Sequence, residues 1–279
     1  MVTPYKVKSF AKINLGLKIL NKRPDDFHNI TSIFIRISLN DILEFKPSHQ
    51  FELKCSKKEV PIDKNNTVYK AYELLDNIFS FKYHYAITID KMIPLQSGMG
   101  GGSSNAAFTL IALNNLYNLN LNKKQLIDLG LKIGSDVPFF LDESISSYIS
   151  GRGEIIEDFN SSFLDSIYIL LVMPTFSVST KWAYKKIKNN LDYKIDSPKF
   201  PALDEDVDWK LFDNVFEKVV GSTYPEIFEI KECMKNNGAL YSSLSGTGST
   251  MFGIYNNIEF IHKTCNKLKS YNTLIVSPT

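Results

Sequence analysis

Residues 94–107, PLQSGMGGGSSNAA, constrain the fold and the chemistry of this chain more than any other segment. Their glycines have no Cβ, so the main-chain amides around them can approach an anion closely. A helix that follows such a loop presents free N–H groups and about half a positive charge at its first turn. The segment predicts a phosphate-binding loop in a nucleotide-handling enzyme, and the competing interpretation is a flexible surface turn.

The sequences on either side of this glycine loop favour phosphate binding. Residues 85–89 alternate apolar and polar side chains, as a strand does. The residues after Ala106 have the apolar spacing of an amphipathic helix, which we expect Ser104 or Asn105 to cap. The loop has no terminal Lys of the Walker type, and residues 90–97 separate its glycines from the strand, unlike a Rossmann fingerprint. Protein-kinase signatures are absent as well.

Composition limits the classes of partner. The chain has 279 residues, of which 44% are hydrophobic, so it can bury a large core, and two domains are favoured over one. Its 32 basic and 30 acidic side chains nearly cancel, which argues against nucleic acid as a partner. Three widely spaced cysteines predict reduced thiols in a cytoplasmic protein. Neither a secretory signal nor a membrane span is predicted.

The order of predicted elements indicates an α+β protein. Strands are predicted at residues 5–10, 30–39, 41–45, 85–89, 167–173, 241–244, 250–255 and 273–276. Helices are predicted at residues 67–79, after the glycine loop, and at 121–133, 180–191, 209–220, 225–236 and 258–270. Residues 157–166 are polar and predict a domain joint, with domains at 1–158 and 159–279, and 193–208 predict a long loop.

A second loop of small residues, SGTGS at residues 245–249, lies between two predicted strands. Taken alone it is equally well explained as a plain turn. Together with the first loop it suggests one phosphate cradle in each half of the chain. An enzyme that joins a nucleotide to a second phosphorylated compound needs two such cradles.

Three ordered motifs resemble those of the GHMP superfamily of small-molecule kinases. They are AKINL at residues 11–15, the glycine loop, and LSGTGS at residues 244–249. The Gly-Leu-Gly-Ser-Ser core of the superfamily is met with Met99 in place of Leu and one extra glycine. The resemblance runs from Lys8 to about Tyr255 and is weakest at residues 189–208.

Two further motifs resemble one branch of that superfamily. Residues 24–28, PDDFH, are similar to the Asp-Gly-Tyr-His stretch with which this branch holds cytosine, and residues 134–138, GSDVP, are similar to its Gly-Ala-Asp-Val-Pro. The resemblance implies a ribosomal-protein-S5-domain-2-like N-terminal domain and a ferredoxin-like C-terminal domain. It also implies ATP- and Mg²⁺-dependent phosphorylation of the 2-hydroxyl of a diphosphocytidyl-methylerythritol in isoprenoid biosynthesis, by a monomer or weak homodimer.

The resemblance assigns roles to individual residues. Asp136 would orient the substrate hydroxyl and accept its proton. Lys12 beside it would stabilise charge and hold the carboxylate, and no protein residue would ligate the metal. The residues that would bind ATP are Asn66, Lys91, Pro94, Gln96, Ser97, Gly98, Met99, Gly100, Gly101, Gly102, Ser103 and Ser104. The residues that would bind the cytidyl substrate are Asn14, Phe27, His28, Thr180, Tyr184, Gly246, Thr247 and Gly248.

Each assignment has a simpler alternative in the sequence. Asp136 fits a helix cap before Pro138, and Lys12 fits a solvated strand residue. Phe27 and Tyr184, expected to bracket cytosine, fit ordinary half-buried aromatics, and Phe27 replaces the Tyr that is usual in the branch. At the level of function, the alternatives are a GHMP kinase with another alcohol acceptor and a catalytically silent binding protein on the same fold.

Overall fold

A computed structural model describes residues 3–159, 161–187, 200–203 and 207–279. It divides the chain into two compact units. The first unit consists of Met1–Ala11, Leu39–Leu95 and Gly100–Glu143, and the second of Lys12–Ser38, Gln96–Met99 and Ser144–Thr279. Within the described residues, no helix combines the length and the hydropathy that a bilayer span requires.

Helices and strands alternate along both units, which confirms the α+β prediction. The strands are β1 Tyr5–Lys22, β2 His28–Ser48, β3 Glu52–Cys55, β4 His84–Asp90, β5 Ser146–Gly151, β6 Ile155–Asp158, β7 Tyr168–Met173, β8 Tyr241–Leu244, β9 Met251–Tyr255 and β10 Asn272–Val276. The helices are α1 Thr67–Phe79, α2 Gly101–Leu116, α3 Lys123–Ile133, α4 Val137–Leu141, α5 Thr180–Ile187, α6 Phe216–Gly221, α7 Glu226–Asn236 and α8 Ile258–Lys267. Within the described part of the chain, short 3-10 turns occur at Ser162–Ser166 and Trp209–Leu211.

The first unit contains helices α1 to α4 and a small sheet. The C-terminal half of β2 pairs antiparallel with β4, and β4 pairs parallel with β3. Helix α1 packs against α2, and α2 packs against α4. The side chains of Ala71, Leu75, Leu110 and Leu113 on α1 and α2 are completely buried, and burial of such apolar surface is what holds the helices in place.

The described strands of the second unit form two groups, and all the pairs in both groups are antiparallel. The N-terminal half of β2 pairs with β5, and β5 pairs with β6. A separate four-stranded sheet has the order β10-β7-β9-β8. Its core joins Leu170 and Val172 of β7 to Ile227, Ile230 and Met234 of α7, all completely buried.

Several predicted boundaries are wrong for identifiable reasons. Two strands predicted on either side of Asn40 form the single strand β2, whose buried Asp41 lies inside an apolar pattern. The predicted helix 209–220 is a 3-10 turn followed by α6, because residues 213–215 pair with Leu17 of β1 instead. The helix predicted at 180–191 is α5 as far as Ile187, and its last residues lie outside the described part, as does most of the predicted loop 193–208.

The third helix illustrates a boundary that local chemistry does determine. Asn122 caps α3 by accepting a hydrogen bond from the Gln125 amide at 3.0 Å, and the Gln125 side chain accepts from the Asn122 amide at 2.9 Å. This reciprocal capping box satisfies two amides that the helix cannot pair internally. The helix ends at Gly134, as predicted.

Candidate active site

Helix α2 begins inside the glycine loop rather than after it. Gly100 is its N-cap, in the left-handed region at φ +69°, which glycine adopts without steric cost. The predicted caps Ser104 and Asn105 are therefore wrong, since both lie within the first turns and are buried. The helix dipole and free amides begin at Gly101, in a stretch without acidic residues.

Ser104 and Asn105 instead connect helix α2 to β1 through hydrogen bonds. The hydroxyls of Ser104 and Ser9 are 2.7 Å apart, and Asn105 Nδ2 donates to Ser9 Oγ at 2.9 Å. Ser9 is completely buried, so the hydrogen bonds form away from water. Buried polar groups that are all paired in this way hold a single geometry.

The ammonium group of Lys91 lies near Gly101, the first residue of α2, and it forms a buried ion pair with Asp41. Its Nζ donates to Asp41 Oδ2 and, at 3.3 Å, to Asn105 Oδ1. A Cβ built on Gly101 would lie 2.9 Å from Lys91 Nζ, so glycine makes room for the ammonium group there. This arrangement places the ammonium group of Lys91, paired with the Asp41 carboxylate, beside Gly101 at the start of α2.

Asp41 was missed in the sequence analysis and is the centre of this network. Its Oδ1 accepts hydrogen bonds from the amides of Met92 and Ile93, both at 2.8 Å, and its Oδ2 accepts from Asn105 at 2.8 Å as well as from Lys91. The side chain is completely buried. The available signal was a carboxylate flanked by Leu39 on one side and by Ile42 and Leu43 on the other, because a carboxylate that is buried among apolar residues needs partners.

Asn66 and Thr67 place the start of α1 beside the same loop. Asn66 caps α1 by accepting from the Val68 amide at 2.8 Å, and its Nδ2 donates to a backbone carbonyl at 2.6 Å. Thr67 Oγ1 donates to the Gly102 carbonyl at 2.6 Å. Asn66 therefore has a structural use besides the ATP contact that the resemblance implies.

Asp136 occupies the N-cap position of α4, but its side chain makes no capping hydrogen bond. The simple cap alternative is therefore not realised. Asp136 is half-buried and follows Gly134, where a Cβ would lie 3.9 Å from Ser103 Oγ. The loop that carries Asp136 is therefore next to the first turn of α2.

In the second unit, Lys12 is buried and held by specific partners. Only 3% of its surface is exposed, which excludes the solvated alternative. Its Nζ donates to Asn14 Oδ1 and lies 4.4 Å from the centre of the Phe34 ring. Its backbone amide donates to the Met99 carbonyl at 3.1 Å, which connects β1 to the glycine loop.

The glycine loop and the SGTGS loop, read as two separate cradles, are packed together. Ser245 Oγ donates to the Gly98 carbonyl at 3.0 Å, and the Thr250 amide donates to the Ser97 carbonyl at 3.2 Å. A Cβ at Gly98 would lie 1.9 Å from the Ser245 carbonyl oxygen, and Gly98 has φ +76°. Only glycine fits this position.

Two hydrogen bonds from Asn214 hold the SGTGS loop in place. The Nδ2 of this buried side chain donates to the carbonyls of Leu244 and Gly246 at 2.7 and 2.8 Å. The same loop also contacts helix α5, since the hydroxyls of Thr180 and Thr247 are 3.2 Å apart. The structure thus brings together Thr180, Thr247 and Gly246, three of the predicted substrate residues.

The residues predicted to hold cytosine are Phe27, His28 and Tyr184. His28 is buried, and its ring centre lies 5.3 Å from that of Tyr184, so the fold makes these two distant residues neighbours. Phe27 is 48% exposed, and the guanidinium of Arg152 lies 5.1 Å from the centre of its ring. Phe27 is therefore the exposed member of this group, while His28 is buried beside Tyr184.

Asp25 orients the backbone that presents Phe27. Its Oδ1 accepts from the Phe27 amide at 3.2 Å, and Arg23 Nε donates to both carboxylate oxygens. Desolvation acts to raise the pKa of Asp25, but these hydrogen bonds and the charges of Arg23 and Arg152 outweigh it and lower the pKa. The carboxylate is thus charged at neutral pH and keeps the turn in place.

Comparison with known families agrees with this geometry. The GHMP kinase N-terminal domain model matches residues 66–143, and the GHMP kinase C-terminal model matches residues 201–267. Together they cover about half of the sequence. The chain belongs to the GHMP kinase family. The predicted kinase fold with two GHMP domains is confirmed, while the exact boundary at 158/159 stays a prediction.

Individual relatives narrow the family further. The chain is 40% identical to a 4-diphosphocytidyl-2-C-methyl-D-erythritol kinase of Thermodesulfovibrio yellowstonii, over 95% of this chain and 94% of the relative. It is 37% identical to the enzyme of that name from Thermoanaerobacter pseudethanolicus, over 98% and 96%. Among solved structures, a 4-(cytidine 5'-diphospho)-2C-methyl-D-erythritol kinase superposes with a TM-score of 0.78 at 24% identity, covering 99% of this chain and all of the other.

Structures with other acceptors in their names share the fold alone. A homoserine kinase from Cytophaga hutchinsonii superposes with a TM-score of 0.69 at 16% identity, over 99% of this chain and 96% of the other. Such low identity carries no information on the substrate.

Proposed function

We propose that this chain transfers the γ-phosphoryl group of ATP to the 2-hydroxyl of 4-diphosphocytidyl-2-C-methyl-D-erythritol, giving the 2-phosphate and ADP. The observation that carries the proposal is the 40% identity to a relative of that name over nearly the whole of both chains. The buried Lys12 and the His28–Tyr184 pair are the features of the second unit that this reaction would use.

The glycine loop is the proposed phosphate site. Gly100 is the N-cap of α2, so the first free amides of the helix are those of Gly101 to Ser103. These amides would hold the phosphates of ATP, and Lys91 would add its positive charge beside them. Pro94, Gln96, Ser97, Gly98 and Met99 form the loop before the helix, and Asn66 is the proposed adenosine contact.

Mg²⁺ would be held in this site mainly by the phosphates of ATP. The described residues contain no group of three or more His, Cys, Asp or Glu side chains that could hold a metal ion. Magnesium commonly takes most of its ligands from substrate phosphates and water, and only one or two from carboxylates. The ion would supply charge neutralisation of the phosphates when bound.

Chemistry on the acceptor is assigned to two residues. Asp136 would orient the hydroxyl and accept its proton, and Lys12 would stabilise negative charge on the transferred group. An ordinary carboxylate, with a reference pKa of ~3.9, is a weak base toward an alcohol. In a loose transition state the proton can leave late, so orientation matters more than basicity.

Acceptor recognition is assigned to the residues around His28. Phe27 and Tyr184 would stack on cytosine, and His28 would bond to the edge of the base. Asn14 and Thr180, with Gly246, Thr247 and Gly248 of the SGTGS loop, would contact the diphosphate and methylerythritol parts.

The deciding experiment measures ADP release with Mg²⁺, ATP and the cytidyl acceptor, in parallel with mevalonate, homoserine and galactose. We expect turnover with the cytidyl acceptor alone. Turnover with another alcohol would replace the proposed acceptor, and the absence of turnover with all four would favour the silent binding protein.

A substitution separates chemistry from binding in the same assay. Asp136→Asn should lower kcat by several orders of magnitude, because the amide cannot accept the proton. We expect this nearly isosteric replacement to leave the fold intact, and the thermal midpoint, measured beside wild type, separates a loss of chemistry from a loss of stability. Wild-type turnover by this variant would remove Asp136 from the mechanism.

A further inference from the structure

Asn14 lies between Lys12 and a second buried residue, Ser32, that no motif identified. Asn14 Oδ1 accepts from Lys12 Nζ, and Asn14 Nδ2 donates to Ser32 Oγ at 3.1 Å. Ser32 Oγ donates to the Gly16 carbonyl at 2.6 Å. Asn14 and Ser32 are 1% and 0% exposed, so water does not compete for these bonds.

In the series of hydrogen bonds from Lys12 to Gly16, the chemistry of each group determines which atom donates. The Gly16 carbonyl can only accept, so the single hydroxyl proton of Ser32 points toward it. Ser32 Oγ is then left as an acceptor and can bond to the NH₂ side of Asn14, but not to its oxygen. The oxygen of Asn14 must therefore face Lys12, whose ammonium group can only donate.

We propose that Ser32 is a positioning residue that fixes the amide orientation of Asn14 and, through it, the ammonium group of Lys12. This role rests on the function proposed above, in which Lys12 stabilises the transferred phosphoryl group. Without the Ser32 hydroxyl, the Asn14 amide can turn and present its NH₂ group to the ammonium. That contact is repulsive and would displace the Lys12 side chain from its place over the Phe34 ring.

The test begins with Ser32→Ala in the ADP-release assay. We expect kcat to fall roughly tenfold, because small displacements of a catalytic group are costly in rate, with KM for ATP unchanged. The matched control is Ser242→Ala, which removes a 1% exposed serine whose hydroxyl donates to a backbone carbonyl at 3.2 Å. This control should keep wild-type kcat.

A double-mutant cycle distinguishes positioning from a general structural effect. In the Asn14→Ala background, Ser32→Ala should change kcat by less than about twofold, since the residue through which Ser32 acts is gone. A second tenfold loss in that background would overturn the proposal, as would wild-type kcat in the single variant.

A readout without substrate separates this proposal from the proposed function. The side-chain amide signals of Asn14 in a ¹H–¹⁵N NMR spectrum can be assigned by their loss in Asn14→Asp. They should shift in Ser32→Ala and stay in place in Ser242→Ala. Unchanged Asn14 signals in Ser32→Ala would refute the positioning role, whereas an inactive wild-type enzyme with shifted signals would refute only the proposed reaction.

Discussion

Removing Asp41 should destabilise the protein more than removing its partner Lys91. In Asp41→Ala, the buried Lys91 keeps Asn105 Oδ1 at 3.3 Å, and the amides of Met92 and Ile93 lose their acceptor. In Lys91→Met, the carboxylate still accepts from two amides and from Asn105. The two variants therefore differ in what they leave unpaired.

The magnitudes follow from this difference. Breaking a buried ion pair by removing one charge costs about 3–5 kcal/mol, which we expect for Asp41→Ala. We expect about 1–2 kcal/mol for Lys91→Met, the typical cost of a lost hydrogen bond to a charged group. The double variant should be more stable than Asp41→Ala, because it leaves no uncompensated charge.

Far-UV circular dichroism during urea and thermal unfolding is the appropriate assay. Trp182 and Trp209 both belong to the second unit, so tryptophan fluorescence would report on the wrong part of the chain. A loss of about 3–5 kcal/mol corresponds to a thermal midpoint lower by roughly 10 °C in a protein of this size. Lys54→Met, which breaks an exposed pair with Glu52, is the control and should change stability by less than about 0.5 kcal/mol.

Two results would refute the reasoning. One is a loss of less than about 1 kcal/mol in Asp41→Ala, which would mean that the carboxylate is not needed to compensate Lys91. The other is a double variant whose loss equals the sum of the two single losses, since independent sites add and coupled ones do not.

Three further predictions concern the loops and the aromatic residues. Gly98→Ala should raise KM for ATP at least tenfold, because the new Cβ would lie 1.9 Å from Ser245 O, and an unchanged KM would show that the two loops can separate freely. Burial raises the pKa of Tyr72 to about 12, so the stability gained from its neutral hydroxyl should persist through pH 10 and be lost as the pH rises through 12. Absorbance titration at 295 nm checks this, and Tyr72→Phe should leave the amplitude near pH 10 unchanged; a smaller amplitude would contradict it. Phe27→Ala should weaken acceptor binding by about 1–3 kcal/mol in calorimetry if a stacked base is lost, whereas the exposed Phe228→Ala should not, and equal affinities would place the base elsewhere.

Local chemistry made the glycine loop, the capping of α3 and the order of the elements predictable from sequence. The run of glycines and the Gly134 at which α3 ends are short local signals, so both can be recognised without the fold. The family motifs were equally readable, because each is a short run of residues around one function. The start of α2 was placed too late, since Ser104 and Asn105 are common caps but here meet Ser9 in the core.

Tertiary structure alone decided which distant groups meet. Lys91 and Asp41 are 50 positions apart, and Ser245 and Gly98 are 147 apart. A buried charge or hydroxyl must find a partner, but composition and periodicity do not say which one, because pairing depends on how strands and loops are packed. The sequence by itself determined the family, the phosphate loop and the candidate chemistry. The orientation of Lys12 through Asn14 and Ser32, and the burial of Asp41, became visible only when the chain was folded.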